Sequence, residues 1–147
     1  MTITFSTQKN FDADQLYALY DSVGWTAYTK DISGLQAGLT NSDLVISAWM
    51  DSKLIGLVRA LTDGQTIAYI QDILVRPEYH KQGLGSQLMR QILAMLEGIR
   101  QIVLMTDSGE ENAPLHDWYR SFGFKSYNDL GTIGFAIFDD GEAEANL

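Results

Sequence analysis

The stretch Ile73-Leu74-Val75-Arg76-Pro77-Glu78-Tyr79-His80-Lys81-Gln82-Gly83-Leu84-Gly85-Ser86 decides how this chain folds. It begins inside a long apolar run, residues 66–75 (TIAYIQDILV), of the kind that forms a strand buried on both faces. Pro77 ends that strand, a polar loop (EYHKQ) follows, and two glycines open an amphipathic helix. On that helix Leu84, Leu88, Ile92, Met95 and Ile99 are expected to share one face, with Met89, Leu93 and Leu96 beside it. Residues 101–106 (QIVLMT) read as another buried strand, so the stretch lies in a β-α-β crossover. Glycines at a helix start let the chain turn tightly and a ligand approach the backbone. The first amides of the helix and its macrodipole then favour an anion, and Arg76 and Lys81 add charge for a phosphate.

Upstream, residues 2–6 alternate as a short strand. Phe11, Leu16, Leu19, Tyr20 and Val23 recur at helical spacing until Gly24, with Asn10 or Asp12 as cap. A second helix is expected over 31–40, then strands over 44–50 and 54–61 joined at Asp51-Ser52, with a hairpin signal at Asp63-Gly64. Downstream, a short helix is expected over 114–121 and strands over 124–127 and 132–138. The predicted order is β-α-α-β-β-β-α-β-α-β-β, a mixed α/β (α+β) sheet with a hairpin-rich first half. One domain over 1–138 is expected, with an acidic, fraying tail over 139–147.

Length and composition narrow the classes. The chain has 147 residues, 46% apolar and 20% charged, enough for one ordinary globular domain and unlike a disordered chain. It has no apolar run of bilayer length, and its first ten residues do not read as a signal peptide. Absence of cysteine excludes disulfides, thiolate metal sites and a thiol nucleophile, and fits a cytoplasmic protein. No metal is expected. The net charge is −9; ten bases against fifteen acids leave −5 over residues 1–138. The bases are scattered, which argues against nucleic acid, and the acidic body favours a cationic small molecule or peptide.

Two familiar phosphate loops do not fit. There is no G-x-x-x-x-G-K-[ST] segment. The dinucleotide pattern G-x-G-x-x-G fails because Leu88 holds the third glycine position and the first glycine lies well past the strand.

The pattern Val75-x-Pro77-Glu78-Tyr79, then Gly83-Leu84-Gly85 and a long helix, instead resembles the acetyl-CoA-binding motif of the GNAT N-acetyltransferase superfamily. Asn112, Tyr119 and Gly123-Phe124 resemble that family's Asn…Tyr-x-x-x-Gly-Phe segment, and the element order is the family's. One position departs: His80 stands where the family usually has Gln or Arg.

The resemblance implies a GNAT-like fold whose central β-α-β crossover binds acetyl-CoA. Backbone groups of Ile73, Leu74 and Val75 would pair with pantetheine, residues His80, Lys81, Gln82, Gly83, Leu84, Gly85 and Ser86 would hold the pyrophosphate, and Asn112 would contact the cofactor arm. Tyr119 stands where the family has its general acid, a phenol that stays protonated at neutral pH. As bases, Asp72 on the strand, Asp107 beyond the next strand and His116 are candidates; Asp107 also reads as a turn residue, and His116 as a surface helix position. Trp25 and Tyr28, in the link between the first two helices, could stack on a cationic amine or seal the core.

The expected function is acetyl transfer from acetyl-CoA to a primary amine of a small molecule or peptide. The alternatives are a non-catalytic CoA-binding sensor on the same fold and an interaction domain without CoA. A homodimer is also compatible, since strands such as 132–138 can pair edges.

Overall fold

A computed structural model of the protein describes residues 2–139. The described residues form two compact units that divide between Leu104 and Met105.

The first unit is built on a five-stranded mixed sheet in the order β1-β2-β3-β4-β5, so each strand lies beside its sequence neighbours. The strands are β1 (Ile3–Ser6), β2 (Leu44–Met50), β3 (Lys53–Thr62), β4 (Ile67–Val75) and β5 (Gln101–Leu104). The first four pair antiparallel. β5 joins β4 in parallel, because the intervening helix α4 (Leu84–Met95) carries the chain back to the start of the sheet. The tight turns fall where the sequence places them. At β2–β3 Asp51 turns with φ 55°, and at β3–β4 the Asp63 carboxylate accepts the amides of Gln65 and Thr66 at 2.9 and 2.7 Å.

Helices cover the sheet. α1 (Ala13–Ser22) is capped by Asp12, whose carboxylate accepts the amides of Asp14 and Gln15 at 3.1 and 3.2 Å. α2 (Thr26–Thr29) is a single turn, and α3 (Ile32–Thr40) is capped by Asp31. Leu16, Leu19, Tyr20, Leu35 and Leu39 from these helices join Leu54, Leu57 and Leu74 in one core cluster. α4 packs on β2, β3 and β4 through Leu84, Leu88, Met89 and Ile92. β3, sandwiched between helices, is buried from Leu54 to Ala60. Gly56 permits the close approach: a Cβ there would lie 3.1 Å from Leu88 Cδ1 and 3.3 Å from the Leu74 carbonyl. The helix is shorter than its apolar pattern. It stops at Met95, Gly98 turns left-handed with φ 87°, and Ile99 falls outside, while Met95 is exposed rather than on the buried face.

The second unit contains a 3₁₀ turn (Glu110–Asn112) and helix α5 (Ala113–Ser121). Its aromatic side chains cluster, with Trp118 edge-on to Tyr119 and Phe122 at 5.1 Å each, and Tyr119 edge-on to Phe124 at 6.2 Å. The two last strands expected from the sequence are absent among the described residues. A strand persists only where its rows of N–H and C=O groups meet another strand. Residues 126–132 instead close a local turn, in which the Thr132 amide donates to the Tyr127 carbonyl at 2.8 Å and the Leu130 amide to Tyr127 at 3.0 Å. Most of the expected acidic tail, residues 140–147, lies outside the described residues.

Candidate active site

The first feature of the site is a divergence of two strands. β4 pairs with β5 only from Ile67 to Ile70, then continues alone on that side to Val75, while β3 remains paired on the other. The backbone edge of Ile73, Leu74 and Val75 is thereby left without a strand partner on the β5 side, among the described residues. The register changes where divergence starts. Arg59 faces Asp72 but Ala60 faces Ile70, so Gln71 is an extra residue in β4, a bulge that bends the strand.

The second feature is the turn into α4. After a 3₁₀ turn (Pro77–Tyr79), Lys81 adopts φ 64° and Gly83 φ 77°, both left-handed. A Cβ at Gly83 would meet nothing within 4 Å, so the glycine answers to its backbone angle and leaves open space beside it. The first intrahelical bond runs from the Gln87 amide to the Gly83 carbonyl at 3.0 Å. By helix geometry the amides of the turn before it, including Leu84 and Gly85, have no intrahelical acceptor and carry the positive end of the dipole. His80 is exposed, and its Nε2 lies 2.8 Å from the Val75 carbonyl. A carbonyl only accepts, so Nε2 carries the proton and the ring pins the end of β4 to the loop. Arg76 also anchors this corner, donating from Nε to the Leu54 carbonyl at 2.8 Å, whereas Lys81 and Gln82 are exposed.

The third feature is a buried polar cluster around Asp72, which is 2% exposed. Asp72 Oδ2 accepts from Arg59 Nε at 2.6 Å and from the Tyr20 hydroxyl at 3.0 Å, and Oδ1 accepts from the Tyr28 hydroxyl at 2.8 Å. Tyr28 in turn accepts from Gln71 Nε2 at 2.8 Å and lies 3.4 Å from Arg59 Nη2. Arg59 Nη1 reaches Ser42 Oγ at 3.5 Å, and a Cβ at Gly38 would come within 3.1 Å of that same nitrogen. Gly38 on α3 is therefore what makes room for the guanidinium.

The electrostatics follow from burial. Burial first, then the Asp72 charge, push the Tyr28 phenol up to about 12. The same two causes push Tyr20 well above its ordinary value. For Arg59 burial works against the charge, but Asp72 and the two phenols outweigh it and raise its pKa. Both tyrosines thus stay protonated donors. Trp25 belongs to this neighbourhood: Tyr20, Trp25 and Tyr28 form an aromatic trio with centroids 5.1 to 6.3 Å apart, half-buried at Trp25 and Tyr28.

In the second unit, burial raises the pKa of Tyr119, against a smaller lowering by its hydrogen bond with Thr106. Asn112 Nδ2 donates to the Ser108 carbonyl at 2.9 Å, and His116 Nε2 donates to the Asp107 carbonyl at 2.7 Å, so both fasten the loop ahead of α5. The Asp107 side chain is exposed.

Of the residues singled out in the sequence, Asp72 and Tyr28 meet in one cluster and residues 80–86 line one turn. Arg59, Tyr20, Gln71 and Ser42 were not anticipated. Arg59 and Asp72 did leave a signal: each is a lone charge in an apolar strand, of opposite sign, on either side of one hairpin turn. The bulge at Gln71 shifts the pairing by one and hides the match from simple counting.

Among the described residues no group of three or more His, Asp or Glu is placed to hold a metal, and no helix is long and apolar enough to cross a membrane. A sequence model of the Acetyltransferase (GNAT) family matches residues 10–124. The chain is 34% identical over 137 residues to "Histone acetyltransferase TAP1" of Glycine max, covering 84% of this chain and 56% of that protein. The chain thus spans little more than half the length of that relative. Among solved structures it is similar to a GNAT family acetyltransferase from Streptococcus pneumoniae, with a TM-score of 0.79, 29% identity, and 95% and 99% of the two chains covered. Aminoglycoside N-acetyltransferase AAC(6')-Iy, solved with CoA, shares the fold at a TM-score of 0.66 and 16% identity, with 95% of each chain covered. The matched stretch contains the strand divergence, the left-handed glycine turn and the Tyr119 segment together, and the chain belongs to the GNAT acetyltransferase family.

Proposed function

We propose that this protein transfers an acetyl group from acetyl-CoA to a primary amine by direct attack of the amine on the thioester, within one acetyltransferase domain spanning residues 1–138. The observation that carries this reading is the open edge of β4 at Ile73–Val75, followed after one 3₁₀ turn by the left-handed turn into α4. An extended diamide such as pantetheine can add to that edge as a strand would, and the pyrophosphate can sit on the amides at 82–86. His80 replaces the family's usual Gln or Arg without loss of this cradle, because its Nε2 holds the loop to Val75 and the backbone does the binding. Asn112 is assigned to the cofactor arm.

In the transfer the amine nitrogen forms a bond to the thioester carbon, the C–S bond breaks, and the sulfur needs a proton as it leaves. Tyr119 is assigned as its donor; burial keeps the phenol protonated at neutral pH. The amine must lose a proton. Asp72 was a candidate for accepting it directly, but its two oxygens already accept from Arg59, Tyr20 and Tyr28 in the interior. We therefore assign Asp72 to positioning, where it fixes the Tyr28 hydroxyl, and leave proton removal to water, with the exposed Asp107 as relay. Trp25 and Tyr28 are placed on the acceptor side, where an aromatic pair beside an acidic body suits a cationic small-molecule or peptide amine. Cytoplasmic residence belongs to the same reading and rests on the cysteine-free sequence.

The test is a thermal melt with and without acetyl-CoA, followed by thiol release across a panel of amines. A ligand at a hundred times its Kd adds about 2.7 kcal/mol, a shift that a melt resolves. Stabilisation by acetyl-CoA with amine-dependent thiol release is expected. Stabilisation without release from any amine would make the protein a CoA-binding module, and no shift at millimolar acetyl-CoA would remove the cofactor assignment.

A further inference from the structure

Gln71 is the exposed member of the Asp72 cluster. It is the extra residue of the β4 bulge and stands between Ile70 and Asp72, each only 2% exposed. A bulge turns a side chain off the regular alternation of its strand. This one brings Gln71 to the surface where β4 leaves β5, just ahead of the open edge at Ile73–Val75.

An exposed glutamine is ordinarily solvated and free to rotate. Here the groups around Tyr28 fix which way its carboxamide faces. Tyr28 has one hydroxyl proton, and it donates that proton to Asp72 Oδ1 at 2.8 Å. Burial, then the Asp72 charge, keep the proton in place well beyond neutral pH. The Tyr28 oxygen can then only accept from its other neighbours. Its contact with Gln71 at 2.8 Å must therefore come from Nε2 and not from Oε1. Arg59 Nη2, at 3.4 Å, is its second donor. The Tyr28 hydroxyl is thereby saturated, and the Asp72 oxygens are taken up by Arg59, Tyr20 and Tyr28. Gln71 Oε1 is left as an acceptor without a protein partner among the described residues. It belongs to a side chain fastened to Tyr28, whose ring lies 6.3 Å from that of Trp25. The Arg59 and Asp72 charges offset one another, so this acceptor works by hydrogen bonding rather than by charge.

We propose that Gln71 is a specificity-determining residue that binds the acceptor amine, its Oε1 accepting one N–H of the nitrogen that attacks. The inference rests on the acceptor-side placement of Trp25 and Tyr28 proposed above. Such a contact selects primary amines. A neutral primary amine carries two N–H bonds. Its nitrogen bonds to the thioester carbon, the C–S bond breaks, and the sulfur takes its proton from Tyr119 as assigned above. One hydrogen of the nitrogen leaves as a proton to water. The other stays on Oε1 from substrate to amide product. A secondary amine carries a single N–H, which it must release, so the contact is lost during transfer. A carboxamide takes up no proton at neutral pH, so Gln71 aims the nitrogen and leaves its deprotonation to water.

The test compares benzylamine with N-methylbenzylamine, which share a ring and differ by one N–H. Gln71 is exposed, so Gln71→Met is expected to melt as the native chain does. It is expected to lower kcat/KM for benzylamine about tenfold, the size of one hydrogen bond, with N-methylbenzylamine and the KM for acetyl-CoA nearly unchanged. Tyr28→Phe keeps the ring but frees the carboxamide. It is expected to lose part of the same preference, and Gln71→Met added to it should cost little more. A preference for benzylamine that survives Gln71→Met would overturn the proposal. Binding is read apart from turnover by titrating benzylamine into the isotope-labelled chain with free CoA. The Gln71 carboxamide resonances, identified by their loss in Gln71→Met, are expected to move, and to start from a different position in Tyr28→Phe. Resonances that stay fixed in the titration, or that are the same in Tyr28→Phe, would overturn the proposal even where thiol release is seen. Movement without thiol release from any amine would uphold Gln71 as an amine-binding residue and overturn the transfer reading instead.

Discussion

Arg59 and Asp72 face each other across β3 and β4 with 2.6 Å between Nε and Oδ2, and neither is open to water. Burying two charges costs more solvation than their attraction returns unless further hydrogen bonds finish the work. Here Tyr20, Tyr28 and Ser42 do so. The consequence is an asymmetry between single and double substitutions. Asp72→Asn removes the anion and strands a guanidinium, and is expected to cost about 3–5 kcal/mol by urea denaturation. Arg59→Met strands the carboxylate and is expected to cost as much, whereas Arg59→Met with Asp72→Leu should recover most of the loss. Additive losses in the double variant would show that the pair is not coupled. A fall in the activity of Asp72→Asn must accordingly be read per folded molecule. Tyr119 is the contrasting residue, because Phe keeps its ring among Trp118 and Phe124. Tyr119→Phe is expected to lower kcat by about 10²-fold or more with acetyl-CoA affinity unchanged. An unchanged kcat would remove it as the proton donor.

At the scale of elements, the turn into α4 tests whether backbone shape or side-chain charge makes the anion site. Gly83 turns at φ 77° with open space beside it. Gly83→Ala therefore meets no clash but must hold a left-handed angle, at about 1–2 kcal/mol. Gly83→Glu adds to that a carboxylate beside the amides, and is expected to abolish the thermal shift with acetyl-CoA, while Lys81→Ala weakens it only modestly. Binding retained in Gly83→Glu would move the pyrophosphate elsewhere. This element was legible in the sequence because its information is local: an apolar strand, a proline, two glycines and a 3.6-residue period lie within one short run. β2 was legible to the residue for the same reason. The buried polar cluster around Asp72 was legible only in part. Asp72 and Tyr28 stood out as chemistry in unusual company, but the partner that organises them depends on a bulge, and a bulge is a property of pairing rather than of one strand. The expected strands at 124–127 and 132–138 show the converse: period-two alternation records what a segment is suited to, and pairing decides whether it is met.

The whole molecule sets two dependences on solution conditions. The first is alkaline stability. Tyr28 titrates near 12 in the fold, pushed up chiefly by burial and then by Asp72, and near 10 when unfolded. Its contribution is full below pH 10 and is lost between pH 10 and 12, because the folded state there binds the proton that the unfolded state releases. The slope of stability with pH in that window, at most about 1.4 kcal/mol per unit for one group, should be shallower in Tyr28→Phe. An equal slope would exclude Tyr28 as a contributor. The second dependence follows from the net charge of −9 and separates the two substrates. Long-range fields attract a cationic amine to an acidic body and repel the polyanionic cofactor, and both effects fade as the Debye length falls from about 30 Å at 0.01 M salt to about 10 Å at 0.1 M. With acetyl-CoA saturating, kcat/KM for a polyamine is therefore expected to fall with added salt. With the amine saturating, kcat/KM for acetyl-CoA is expected to rise, and kcat should change little in either series. A neutral, uncharged-at-assay amine such as an aniline serves as control, because only its cofactor arm should respond. If the polyamine and the aniline show the same salt dependence, the acidic body does not select the acceptor.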